Sequence, residues 1–183
     1  LRTHPAGQPL ESRYTKGFVY SDAWVDDARL VVLTAMDAHE HGATVLTRTR
    51  CTKLAPRGDR WAVTLRRDDG RELAIEARAV VNATGPWVDR FLDGAPPVPA
   101  RRHPRMVKGS HIVVPRLFEH EFAYLFQSPD GRIVFAIPYE GDYTLIGTTE
   151  MDYTGDLASP AIAEREVECL LEMANRYFAA DLA

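Results

Sequence analysis

Arg105-Met-Val-Lys-Gly-Ser-His-Ile-Val-Val-Pro115 is an apolar run with a lysine, two small residues and a histidine set into it. Read as a strand, its alternation puts Gly109, His111 and Val113 on one face and Lys108, Ser110 and Ile112 on the other. Gly109 then leaves open space beside the imidazole. Nowhere else does a group that titrates near neutral pH stand in so apolar a run. Val80-Val-Asn-Ala-Thr-Gly-Pro-Trp87 lies upstream of it. Phe135-Ala-Ile-Pro-Tyr-Glu140 and Thr144-Leu-Ile-Gly-Thr-Thr-Glu150 lie downstream. Together with Arg105–Pro115 they point to a pocket built on strand ends.

Around this run the spacing predicts four strands, at 105–114, 122–127, 133–137 and 143–147. Ser128-Pro-Asp-Gly131 and Glu140-Gly-Asp142 supply tight turns, so the last three form an antiparallel meander. A helix follows, capped by Ser159 with Pro160 in its first turn. Its buried face is expected to carry Ala163, Val167, Leu170, Leu171, Ala174 and Phe178.

Upstream, Asp26 is a helix N-cap, with Ala28, Val31, Ala35 and Ala38 at helical spacing and Gly42 as the stop. Thr44 to Thr47 reads as a short buried strand. Trp61, Val63 and Leu65 alternate with polar residues, Asp69-Gly70 turns the chain, and Leu73, Ile75 and Ala77 alternate again. With a strand at Cys51 to Leu54 this makes a three-stranded β-meander. Ala79 to Ala83 reads as a strand buried in a parallel sheet. Residues 1 to 16 are polar and carry two prolines. Ala95-Pro-Pro-Val-Pro99 is a stiff linker at a domain crossing. The expected division is a tail over 1–20, one lobe over 21–94 and a second over 95–183.

Length and composition narrow the function. A chain of 183 residues supports one good core or two small ones. The formal charge of −4, with no basic run interleaved with aromatics, argues against a nucleic-acid partner. No apolar run approaches the roughly 20 residues of a membrane helix. Cys51 and Cys169 have no metal or redox spacing and are expected as reduced thiols in a cytosolic setting. Asp142, Glu150, Asp152 and Asp156 show no metal-ligand spacing either. The start at Leu1 and the stop just past a helix suggest an internal piece of a longer protein.

Each candidate site residue has two readings. Thr84-Gly85 after a strand lets backbone approach a large ligand, or simply turns the chain. Trp87 covers such a ligand, or sits in the core with one partner for its indole N–H. Thr148 and Thr149 offer hydroxyls to a ligand, or satisfy the following turn. His111 is a proton acceptor, or a satisfied strand histidine. Cys51 alone reads as a small buried strand residue. Lys108 is tempting as a phosphate ligand, but a regular strand points it away from His111; a bulge at Gly109 would reverse that.

Four motifs carry a resemblance: Tyr20-Ser-Asp-Ala-Trp-Val-Asp-Asp-Ala-Arg-Leu30, Asn82-Ala-Thr-Gly-Pro-Trp87, Lys108-Gly-Ser-His-Ile-Val-Val-Pro115 and Ile146-Gly-Thr-Thr-Glu150. From about Lys16 onward the chain resembles the middle of the bacterial FAD-dependent glycerol-3-phosphate dehydrogenase family, within the amino-acid-oxidase-like flavoproteins. The resemblance implies an α/β plus α+β fold, with a partial Rossmann-like FAD-binding lobe and an antiparallel substrate lobe with a helix. It implies FAD contacts at Cys51, Ala83, Thr84, Gly85 and Trp87, Cys51 through its backbone beside the adenine. It places His111 beside the flavin, facing substrate, where a neutral imidazole serves as general base; Thr148 and Thr149 are expected as further substrate contacts on their hydroxyls alone. The whole enzyme would oxidise sn-glycerol 3-phosphate to dihydroxyacetone phosphate and pass electrons to quinone. It would be cytoplasmic and peripheral to the inner membrane. The family's glycine-rich pyrophosphate turn is absent from the sequence. The piece is therefore expected to be flavin-free, inactive and open to self-association through strand edges. The rivals are another amino- or hydroxy-acid oxidase of this fold, and a non-catalytic binding module.

Overall fold

The fold was obtained as a computed structural model, which describes residues 1, 3–94, 103–128 and 131–182. The proline linker at 95–99, and Pro129 and Asp130 of the predicted turn, lie outside the described residues. The chain forms two compact units, one of residues 20–104 and one of residues 1–19 with 105–183.

The first unit opens with helix α1, Asp27–Glu40. The Asp26 carboxylate accepts the Arg29 N–H at 3.0 Å, and Gly42 follows at φ 91°. The strands β1 (Thr49–Arg57), β2 (Arg60–Arg67) and β3 (Glu72–Ala77) make an antiparallel meander in that order. Its register joins Val63 to Leu54 on one side and Ile75 on the other. Alternation fixes that register locally, because a one-residue slip would turn every apolar side chain to the other face. Gly70, at φ 84°, closes the β2–β3 turn. A short helix, α2, spans Val88–Gly94.

Two predicted strands are not formed. Thr44 to Thr47 and Ala79 to Ala83 have no ladder, and Val45 and Val81 are exposed. A strand exists only where a neighbour takes its N–H and C=O groups. No described segment pairs with either stretch, and every ladder among the described residues is antiparallel.

In the second unit β5 (His111–Pro115), β8 (Tyr143–Gly147), β7 (Ile133–Tyr139) and β6 (Tyr124–Gln127) form an antiparallel sheet in that spatial order. The predicted strand 105–114 is broken. Val107–Lys108 is a separate strand, β4, paired with β9 (Met151–Asp152). Helix α3, Glu164–Tyr177, packs on the sheet through Leu170, Met173 and Ala174. Phe118, Tyr124, Phe126, Val134, Ala136, Ile146 and Phe178 complete the core. The helix starts at Ala163, not Ser159, because the Glu166 carboxylate accepts the Ala163 N–H at 2.8 Å and so caps the first turn there. The amino-terminal segment lies against this core. Leu10 bridges to Phe178, and the Tyr124 hydroxyl donates to the Ala6 carbonyl at 2.7 Å.

Candidate active site

The second unit gathers three of the sequence-predicted residues. His111 begins β5 directly opposite Gly147, the last residue of β8, and Thr148 and Thr149 follow at once. Along this stretch Lys108, Ser110 and Ile112 turn inward, while Gly109, His111 and Val113 face outward. The outward face also carries Leu125, Ile133 and Phe135, all large and exposed. Phe135 pairs with Gly147 on the side away from His111. Histidine, bare glycine and phenylalanine thus stand in a row across three strands on an open apolar face.

The space beside the imidazole is supplied by Gly147, not by Gly109. A Cβ at 147 would overlap the His111 ring. A Cβ at 109 would stand 2.5 Å from the Thr148 hydroxyl oxygen and 3.2 Å from the Thr149 carbonyl. Gly109 therefore admits the turn that follows β8. Counting back from the Glu140-Gly-Asp142 turn pairs Gly147 with Phe135; its place opposite His111 is set by the β5–β8 ladder, whose register no tight turn in the sequence fixes.

The two threonines divide. Thr148 is exposed, and its hydroxyl donates to the Thr149 carbonyl at 3.0 Å. Thr149 is buried, and its hydroxyl accepts the Ser110 N–H at 3.0 Å while donating to Glu166 Oε1 at 2.7 Å. Thr149 thus faces the interior, away from the outward face that carries His111.

Glu166 lies at the centre of a buried polar network. Its Oε1 also accepts the Ser110 hydroxyl at 2.9 Å, and its Oε2 lies 2.6 Å from Lys108 Nζ. The lysine donates in addition to the Ala161 carbonyl at 2.6 Å. Lys108 is therefore committed to the interior, on the face opposite His111 that regular alternation predicts. Burial pushes the Glu166 carboxyl upward. Lys108, the Ala163 N–H and the Thr149 and Ser110 hydroxyls outweigh that and hold it down at about 2. The signal for Glu166 in sequence is its place on the helical stripe, four residues before Leu170 and eight before Ala174.

The other predicted residues all lie in the first unit. The Asn82 carboxamide oxygen accepts the Thr84 hydroxyl at 2.7 Å and the Thr84 N–H at 3.3 Å, and its amide donates to the Val88 carbonyl at 3.2 Å. This holds Ala83, Thr84 and Gly85 in a tight turn before Gly85–Trp87, one turn of 3-10 helix. Gly85 has φ 55°, and a Cβ there would meet nothing within 4 Å. Trp87 is 41% exposed, so it is not a core tryptophan of this unit. The Gly85 backbone, the Trp87 indole and Val81 are all exposed. Cys51 is partly buried on β1 beside a bulge that sets Thr52 out of register, and burial pushes its thiol up. Among the described residues no cluster of His, Cys, Asp or Glu could hold a metal ion.

Comparison with known proteins extends this geometry. A family profile described as FAD dependent oxidoreductase matches residues 2–183. The chain is 50% identical over 175 residues to a glycerol-3-phosphate dehydrogenase of Pseudomonas aeruginosa, covering 96% of this chain and 34% of that protein. It is 45% identical over 179 residues to a D-erythritol 1-phosphate dehydrogenase of Brucella abortus, covering 97% and 36%. Among solved structures it is similar to the glycerol-3-phosphate dehydrogenase of Bacillus halodurans complexed with FAD. There the TM-score is 0.68 at 33% identity, over 84% of this chain and 31% of the other. The chain spans about a third of the length of these relatives.

Proposed function

This chain belongs to the FAD-dependent oxidoreductase family, and on that footing we propose that the full-length protein oxidises sn-glycerol 3-phosphate to dihydroxyacetone phosphate. The observation that carries the reading is His111, exposed on an apolar sheet face and seated against Gly147 with Thr148 alongside. FAD, when bound, supplies the hydride acceptor for the carbinol hydrogen. A ring nitrogen of His111 takes the hydroxyl proton as the carbonyl forms. Thr148 offers a hydroxyl to the substrate, and Thr149 supports it from behind. Ala83, Thr84, Gly85 and Trp87 would contact the cofactor, with the Cys51 backbone at the adenine.

Quinone as final acceptor, at the surface of the inner membrane facing the cytoplasm, completes the proposal. No described helix is long and apolar enough to cross a membrane. The outer strands of the sheets and the unburied α1 support self-association of the chain when it stands alone. The lack of a glycine-rich pyrophosphate turn supports its being inactive in that state.

A second reading is a longer polyol phosphate, favoured by the likeness to the D-erythritol 1-phosphate dehydrogenase. The experiment is a comparison of flavin bleaching and ketone formation in the full-length protein with glycerol 3-phosphate and with erythritol phosphate. Faster turnover of glycerol 3-phosphate supports the first reading. Preference for the four-carbon substrate supports the second, and inertness toward both contradicts the two together.

A further inference from the structure

Ser110 precedes His111, and Thr149 follows Thr148, so the buried network and the open face are built from neighbouring residues of the same two segments. Glu166 reaches both. Oε1 takes the Ser110 and Thr149 hydroxyls, and Oε2 takes Lys108 Nζ and the Ala163 N–H. Four donors from four separate positions meet on a carboxylate that is 3% exposed. The Ser110 N–H is tied into the same cluster through the Thr149 hydroxyl, which takes the place of a ladder partner at the break between β4 and β5. That break aims the start of β5, and His111 is its first residue.

The geometry points to Glu166 as a positioning residue for His111: its carboxylate clamps Ser110 and Thr149 from the buried side and thereby fixes the imidazole over Gly147 on the open side. The inference rests on the reading of His111 as the substrate-facing base. A helix cap alone would need only the contact to Ala163. Glu166 spends its other oxygen on Ser110 and Thr149, which belong to the two segments flanking the imidazole. A buried carboxylate with every lone pair engaged holds its partners more narrowly than the same contacts in water, since the low local dielectric strengthens each. Displacement of a reacting group by about 1 Å costs on the order of 100-fold in rate.

The test is single-turnover reduction of bound FAD by glycerol 3-phosphate in the full-length holoenzyme, with the rate expressed per bound flavin. Glu166→Gln is expected to slow reduction roughly 10- to 100-fold at unchanged flavin content. In a His111→Ala background the same change should add almost nothing, because the two act through one group. Thr149→Val should follow Glu166→Gln, and Thr149→Ser, which keeps the bridging hydroxyl, should restore the rate. That pair decides the matter if Glu166→Gln fails to fold. A lowered melting temperature with an unchanged rate per flavin would make Glu166 purely structural and overturn the inference, as would full additivity with His111→Ala. If His111→Ala itself reduces flavin at the wild-type rate, the underlying reading of His111 fails, and this inference goes with it.

Discussion

His111 and Gly147 face each other directly across the β5–β8 ladder, and the imidazole occupies the space that any side chain at 147 would claim. Gly147→Ala in the full-length protein should therefore move the ring. The expected cost is roughly 100-fold in flavin reduction and about 1–3 kcal/mol of stability from overpacking. Gly109→Ala should disturb Thr148 instead, since its Cβ would stand 2.5 Å from that hydroxyl. Stopped-flow reduction and thermal melting of both variants check this. Wild-type reduction by Gly147→Ala would mean that the ring position does not matter.

At the Asn82–Trp87 turn, Gly85→Val should weaken FAD binding far more than Cys51→Ser. Gly85 has φ 55°, where a β-branched residue is strained, and its bare backbone is proposed to meet the cofactor. The contact proposed for Cys51 uses only its backbone. Flavin occupancy of the two purified full-length variants is the measurement. Equal occupancy would count against the assignment of the turn.

Acid stability should carry the mark of Glu166. Its folded carboxyl is held at about 2, below the ordinary value of about 4.3 for an unfolded chain. The contribution to stability is present above the unfolded value and is lost as pH falls toward the folded one. Melting temperatures of the full-length protein should thus drop between about pH 4.3 and pH 2. Glu166→Gln should flatten that part of the curve and lower the melting temperature at neutral pH. An unaltered acid limb in the variant would contradict this account of the network.

The pattern of what could be foreseen has a physical basis. Trp61, Val63 and Leu65 find Ala77, Ile75 and Leu73 across the Asp69-Gly70 turn, so the meander needs only local information. The α1 helix needs only Asp26 and Gly42 at its ends. Thr44 to Thr47 and Ala79 to Ala83 have the composition of buried strands, but composition cannot supply a ladder partner. The break after Lys108 depends on a hydroxyl 39 residues away taking the Ser110 N–H. The placement of His111 and Lys108 on opposite faces followed from alternation alone; that the Lys108 face is the buried one did not. Gly147 and Glu166 were not legible as site residues, because one depends on register and the other on a carboxylate lying on an otherwise apolar stripe.

The 183-residue chain by itself should remain essentially flavin-free after soaking in excess FAD and desalting. It offers the Thr84-Gly85 turn and a strand backbone at Cys51, but its sequence has no glycine turn to grip a pyrophosphate. A stoichiometric absorption band near about 450 nm, where bound oxidised flavin absorbs, would show that such a grip is dispensable.

The most direct test of the central claim is anaerobic reduction of the full-length protein by saturating glycerol 3-phosphate, comparing wild type with His111→Ala at equal flavin content. Loss of the proton acceptor should slow bleaching of the flavin by roughly 10²- to 10⁴-fold, with FAD still bound. Bleaching at the wild-type rate would show that the imidazole on this sheet face takes no part in the oxidation.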